Sequence, residues 1–355
     1  MKKRMNRVLT LALALVMCLS LAACGGSKDS GTPAPSQDAA QDTADGKTFK
    51  VGVCGRDFTS PFQTSLYESM KEAAKAYPEI ELDIRDGEGD PSVQVNILQT
   101  FIEQKKDLIV VVANQVDTLI PAINQCVDAG IPVINTNCYV GDGSKILTFI
   151  GCDDRVGGYR QGELINKAVG DSGKIALIQA TLGTAYQIAR TEGQATLGTA
   201  YQIARTEGIE NYISEKAPGI EIVAYECNDN DNAKTVTIMQ NLLTRFPAGE
   251  LDGIVVQGPL DAIAAADACI DAGRDELVGK IVAMDYSTQV EDAIKEGKLF
   301  GTVNQDPVAY GKLSVEYIAK YMTGEMKAED FEKEIYIDLP TVDASNVNDT
   351  AATWS

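Results

Sequence analysis

From residue 49 onward, short unbroken apolar runs take turns with longer segments in which apolar residues return every three or four positions. A run such as LIVVV at 108–112 has no polar face, so a strand made of it must be covered on both sides. Strands are expected at 49–54, 80–84, 108–112, 132–135 and 146–150, with helices at 62–76, 91–105 and 119–129. In the first helical segment Leu66, Met70, Ala73 and Tyr77 share one face. The alternation then restarts, with strands expected at 174–178, 221–226, 253–256, 280–284 and 300–303. Strands joined by helical crossovers form parallel sheets, and this many fit two sheets better than one very wide one. The expected fold class is therefore α/β, with two Rossmann-like, doubly wound parallel-sheet lobes. In such sheets a ligand sits beyond the carboxyl ends of the strands, so the residues just after each strand are the candidates for a site.

The amino terminus sets the compartment. Lys2, Lys3, Arg4 and Arg7 precede an uncharged apolar run at 8–23, too short for a comfortable membrane-spanning helix and ending in the small residues Ala22 and Ala23. This order reads as a signal peptide over 1–23. The tetrad Leu21-Ala22-Ala23-Cys24 resembles the bacterial lipobox, in which the cysteine is acylated and becomes the new amino terminus; an ordinary signal peptide with a chance cysteine is the alternative. Residues 25–47 contain no Val, Ile, Leu, Met or aromatic residue, so nothing there offsets the entropy of ordering, and 24–47 reads as a flexible tether. These features place the folded body on the outer face of the cytoplasmic membrane, lipid-anchored.

Composition removes several functions. A formal net charge of −20 argues against binding nucleic acid phosphates. The chain has no histidine, which excludes Ser-His and Cys-His nucleophile pairs and histidine-based metal sites. No GxSxG, Walker loop or GxGxxG after a strand occurs, so neither an enzyme nor a cofactor is expected. Asp153 and Asp154 could act as an acid pair, but residues adjacent in sequence rarely flank one substrate. Cys54, Cys126, Cys138, Cys152, Cys227 and Cys269 show no metal-ligand spacing. Buried free thiols are the simpler reading, with disulfides open in an exported protein.

The segment QATLGTAYQIARTEG occurs at 179–193 and again, identical in all fifteen positions, at 194–208. A solenoid repeat would recur more often and drift, so this reads as a tandem duplication, or an assembly error, within one strand-to-helix connection.

TSPFQTSL after the first strand, DAGIPVINTN after the third helix and IGCDDRVGGYRQGELI beyond the fifth strand carry a family resemblance. So, further on, do ARTEG, MQNLLTRFP, AMDYSTQVEDAIKEGK and TVNQDPVAYGK. In this order and spacing, which runs from 49 to 346, the chain resembles the periplasmic sugar-binding proteins of the ribose-binding type. These share their fold with the effector domain of the lactose-repressor family. The resemblance implies type I periplasmic binding protein architecture. Its two lobes would be joined by a three-stranded hinge, with 48–152 plus 306–338 in the first lobe and 153–305 plus 339–355 in the second.

Position by position, the resemblance implies these ligand contacts. Phe62 matches an aromatic lying against the sugar ring, although the first core position of its helix would suit it equally. Asn114 matches a polar contact. Asn137 stands where the family commonly has Asp, and Cys138 where the ribose type has Arg. The arginine of ARTEG is present twice, as Arg190 and Arg205, and Asp285 and Gln305 follow their strands at family ligand positions. For Asp285 a helix N-cap is the alternative. Planar carboxylate, amide and guanidinium groups can each engage two adjacent hydroxyls. Asn230 replaces an aromatic and Gly258 an Asn, so ribose is not assumed. Arg56, Asp57 and Phe58 on the first loop are further candidates from the residues alone.

The duplicated arginine has a geometric argument of its own. The helix ending near Lys216 is tied by the short turn Ala217-Pro218-Gly219 to the next strand, so its carboxyl end cannot move by a fifteen-residue helix length of about 22 Å. Copy two should therefore keep the family position, which favours Arg205 over Arg190. A continuous long helix is the rival, weakened by Gly193 and Gly198 inside it.

The expected function is an extracytoplasmic solute-binding lipoprotein, monomeric, that captures a small neutral hydroxylated ligand for the membrane permease of an ABC importer. A sensory adaptor serving a chemoreceptor or sensor kinase is the alternative. A transcription regulator of the same fold is excluded by the signal peptide and by the lack of a helix-turn-helix before Phe49. Cys24→Ala should release the protein from membranes and abolish palmitate labelling; a mutant still labelled and still sedimenting with membranes would refute the anchor.

Overall fold

The computed structural model describes residues 47–179, 200–229 and 231–355. The signal peptide, Cys24, the tether up to residue 46, Arg190 and Asn230 lie outside the described residues.

The first sheet contains β1 (Phe49–Cys54), β2 (Ile80–Arg85), β3 (Leu108–Val111), β4 (Val133–Thr136), β5 (Thr148–Gly151) and β11 (Glu334–Tyr336), in the order β11-β5-β4-β3-β1-β2 and parallel throughout. The second contains β6 (Ser172–Gln179), β7 (Gly219–Cys227), β8 (Gly253–Val256), β9 (Ile281–Met284), β10 (Gly301–Val303) and β12 (Thr341–Asp343), in the order β12-β10-β9-β8-β6-β7. Each sheet repeats one plan, with crossovers α1 (Pro61–Ala74), α2 (Pro91–Glu103) and α3 (Val116–Asp128) in the first. In the second lobe α4 (Asp154–Val169) precedes β6, followed by α5 (Ala200–Lys216), α6 (Asn232–Arg245), α7 (Pro259–Asp271) and α8 (Thr288–Lys295). The long α9 (Pro307–Met322) returns to the first lobe, where its Gly311 lies tight against Leu66 and Ser69 of α1.

The apolar runs do what their composition requires. All residues of β3, β4, β5, β8 and β9 are buried, because helices cover both faces of each sheet. Boundaries move by a few residues from expectation, most at α3, which starts at Val116 rather than 119 and carries Pro121 in its second turn. The short, polar β11 and β12 were not expected. β12 pairs antiparallel with β10, and its position explains why. β11 ends at the same side of its sheet as its parallel neighbours, and only residues 337–340 lead on to β12. The chain thus enters the second sheet at the carboxyl ends of that sheet's strands and must run the opposite way.

The chain passes between the sheets three times, after β5, after β10 and after β11. These crossings are hydrogen-bonded to one another: Ile337 N donates to Gly151 O at 2.7 Å, and Asn304 N to Pro340 O at 2.8 Å.

Helices α4 and α5 approach each other more closely than a side chain at the crossing would allow. A Cβ on Gly158 would fall 1.8 Å from the Arg205 carbonyl oxygen, and one on Gly208 would fall 2.1 Å from that of Arg155. The glycine of the second ARTEG is therefore a packing requirement. Gly158→Ala and Gly208→Ala should each destabilise the protein by about 1–3 kcal/mol in urea unfolding. Gly143→Ala, whose methyl would meet Ile120 at an ordinary 3.7 Å, should stay within about 0.5 kcal/mol; equal effects at all three sites would refute the close contact.

Candidate functional site

Because the strands of both sheets end toward each other, the loops after them enclose a cleft of about 790 Å³, a size suited to a small ligand. Its first-lobe wall comes from the loop after β1, the start of α1, and the turns after β2, β3 and β4. Its second-lobe wall comes from α5 and the turns after β8, β9 and β10.

The loop after β1 is shaped by Asp57, whose Oδ1 accepts from Ser60 N at 2.7 Å and from Thr59 N at 3.1 Å and so fixes the entry to α1. This sets Phe62 in the first turn, 8% exposed, lining the cleft while packing edge-on to Tyr310. Phe62 is thus both a buried core residue at the start of its helix and part of the cleft lining. Arg56 and Asp57 line the cleft, whereas Phe58 turns away: its ring lies 5.3 Å from that of Tyr67 and it is 43% exposed. Asn114 lines the cleft with its backbone N–H held by Gln94 Oε1 at 2.9 Å.

Asn137 and Asp285 occupy equivalent places, each directly after the strand that comes fourth along the chain in its own sheet, and both take left-handed backbone conformations, with φ 68° and 74°. Asn and Asp tolerate that region better than other side-chain-bearing residues. Each is locked by its backbone N–H, Asn137 to Ile150 O at 3.0 Å and Asp285 to Val303 O at 2.9 Å. Asn137 Oδ1 accepts from Gln63 Nε2 at 2.9 Å. Asp285 is not a helix cap, because Ser287 caps α8.

Arg205 lies on α5 and is 5% exposed. Its Nε donates to Asp154 Oδ1 at 2.8 Å, its Nη2 to Gln305 Oε1 at 3.2 Å, and its guanidinium carbon sits 5.1 Å from the Tyr201 ring centre. Gln305 Nε2 in turn faces Cys152 Sγ at 3.4 Å. Asp153 and Asp154 part company: Asp153 caps α4, accepting from Arg155 N at 2.9 Å, while only Asp154 enters the cleft. Burial opposes the charge on Arg205, but the Asp154 and Asp285 carboxylates outweigh it and hold the guanidinium above its usual value. Asp285 Oδ1 is buried without a hydrogen-bond partner among the described residues, and burial pushes its carboxyl up to about 6, with Arg205 opposing.

The cleft thus brings together Phe62, Asn114, Asn137, Arg205, Asp285 and Gln305 from the sequence reading. It adds residues that reading passed over. Gln63 sits inside a quoted motif next to Phe62, and Asp154, named at first only as half of an acid pair, lines the cleft. Gln257, 5% exposed with both amide atoms unpartnered among the described residues, directly follows the LDGIVV strand, and strand ends were the signal that pointed to it. Trp354 lies in the polar segment AATWS, where no pattern marks it. Cys54, Cys126, Cys138, Cys152 and Cys269 are buried free thiols, and burial pushes those of Cys54 and Cys126 up to about 12 and about 11.

A cleft closed by two similar lobes, lined with planar polar groups and one aromatic wall, defines a two-lobed ligand-binding protein. The family described as periplasmic binding protein domain matches residues 51–326, and the chain belongs to it. It is a transport binding protein and not an enzyme, and its folded body is extracytoplasmic. The chain is 25% identical over 316 residues to the ribose import binding protein of Bacillus subtilis, covering 89% of this chain and 92% of that protein. It is 26% identical over 343 residues to the xylitol-binding protein of Mycolicibacterium smegmatis, covering 97% and 87%. An ABC transporter solute-binding protein from Bacillus halodurans, solved with bound myo-inositol, superposes with a TM-score of 0.74 at 26% identity, covering 86% of this chain and 98% of that one.

The Asp285 carboxyl gives a stability prediction with a definite sign. Its value is about 6 in the folded protein against 3.8 for a solvent-exposed side chain, so the folded state holds the proton more tightly. The stabilisation from that proton is complete below about pH 4 and is lost as pH rises through 6. Asp285→Asn should therefore be more stable than the parent by about 3 kcal/mol at pH 7, with the gap closing below pH 4. A gap that is constant with pH in urea unfolding would refute this.

Proposed function

We propose that this protein is a lipid-anchored, monomeric receptor that captures a monosaccharide or a similar neutral polyol and delivers it to the permease of an ABC importer. The observation that carries the reading is the composition of the cleft. Amide groups of Asn114 and Asn137 in one lobe face the carboxylate, guanidinium and amide of Asp285, Arg205 and Gln305 in the other, with Phe62 beside them. Hydroxyls both donate and accept, so a polyol can satisfy all of these groups at once, and the aromatic ring suits the C–H face of a sugar. A ligand that bridges both walls favours the closed arrangement of the lobes, which is the form a permease can distinguish. The names of the relatives point the same way: ribose, xylitol and, in the solved structure, myo-inositol. In the first lobe Cys138 lies at the cleft beside Asn137, at the position where the ribose type has Arg, so the range of ligands extends beyond ribose.

The test is a thermal-shift screen of the chain lacking residues 1–24 against D-ribose, D-allose, xylitol, myo-inositol and other sugars and polyols. At least one should raise the melting temperature in a concentration-dependent way. For that compound, Asp285→Ala and Gln305→Ala should each weaken binding by roughly tenfold to a hundredfold in calorimetry. Full affinity in both variants would remove the ligand from this cleft.

A further inference from the structure

The last residues of the chain are built into the cleft. Beyond β12 the tail runs back along the second lobe, where the Tyr286 hydroxyl donates to Thr350 O at 2.7 Å, Ala352 N to Glu291 Oε2 at 3.0 Å, and Thr288 N to Trp354 O at 2.9 Å. Thr353 Oγ1 donates to Asp306 Oδ1 at 2.9 Å, and Asp306 is the residue that caps α9 directly after the second crossing. Trp354, the only tryptophan of the chain, then sets its ring 5.5 Å from that of Phe62, at an interplanar angle of 83°. Trp354 is 7% exposed, and both it and Ser355 line the cleft.

A short terminal segment of small and polar residues would ordinarily fray. This one is held by its backbone to the second lobe and by its indole to the first. If the lobes separate, the indole must leave Phe62 or its backbone must leave Thr288. Its Nε1–H is also buried without an acceptor among the described residues, whereas a buried indole N–H usually has one.

We propose that the carboxyl-terminal tail is a clasp across the cleft and that Trp354 forms, with Phe62, a two-ring aromatic wall for the ligand; the ligand part rests on the binding function proposed above. An indole offers a broad apolar face to ring C–H groups and one donor to a ligand oxygen. Ligand entry, lobe closure and the surroundings of Trp354 are then linked, because the same ring takes part in each.

With a single tryptophan, emission of the chain lacking residues 1–24 reports Trp354 directly. In the ligand-free protein, emission should be blue-shifted, acrylamide should quench it several-fold less than a free indole, and Phe62→Leu should shift it. A fully quenched indole that is insensitive to Phe62→Leu would overturn the clasp whether or not any sugar binds. For a sugar that passes the thermal-shift screen, saturation should change the emission. Trp354→Ala should then weaken its binding about tenfold and Trp354→Phe by less, while both variants keep a cooperative melt. A Trp354→Ala variant that melts earlier but binds with unchanged affinity would reduce the residue to a structural role and overturn the wall. A screen in which no sugar binds would count against the binding function and leave the emission measurements to judge the clasp.

Discussion

One guanidinium holds the centre of this molecule. Arg205 reaches from α5 to Asp154, the first residue of α4 after the first crossing, and to Gln305, just past the strand that leads into the second crossing. Through Gln305 and Cys152 the two crossing strands are tied to each other as well. A buried arginine paired with a buried carboxylate, both nearly shut off from solvent, is held in place because breaking the pair would strand a charge. The glycines of α4 and α5 follow from this. Arg205 can reach the crossings only if its helix lies close to α4, and Gly158 and Gly208 remove the side chains that would hold the helices apart.

Sheet polarity then fixes where chemistry can happen. Parallel strands bring all their carboxyl ends to one edge of each sheet, and the crossings bring those two edges face to face. At the equivalent point of each lobe the chain makes the same left-handed turn, with Asn137 in one and Asp285 in the other. The turn aims a short polar side chain into the cleft while its own N–H closes on the neighbouring strand, so position and direction are set by backbone geometry before any ligand is present.

How much of this could be read from the residues depends on how local the cause is. Buried strands such as Leu108–Val111 and Ile281–Met284 announce themselves, because burial on both faces leaves an unbroken apolar run. Asn137, Asp285 and Gln305 were singled out through the family resemblance, at positions that also lie just after strands. The placement of Arg205 on a helix that ends at Lys216 follows the fixed turn into β7, which anchors the carboxyl end of copy two. What stayed hidden has causes far away in sequence. β11 and β12 are only three residues each, and Glu334 and Thr341 carry no apolar signal; they exist because a neighbouring strand offers free backbone groups. Phe58 sits one residue from the cleft-lining Asp57 and Thr59, yet faces Tyr67, a direction set by the Asp57 turn. Trp354 depends on a return of the chain across both lobes that no periodicity encodes.

The two equivalent turns differ in one respect that bears on what the cleft accepts. Asn137 is a neutral amide already engaged by Gln63, whereas Asp285 is a buried carboxylate with an oxygen left unpartnered among the described residues. Arg205 acts on it only through charge, since the hydrogen bonds of its guanidinium among the described residues go to Asp154 and Gln305. The second-lobe wall of the cleft therefore presents a buried acceptor that calls for a hydrogen-bond donor, a local cost of the kind functional sites retain. In the function proposed above, a ligand hydroxyl would supply that donor only if the rest of the ligand also fitted the amides opposite, so the incentive to bind would lie mainly in one lobe and the geometric check in the other.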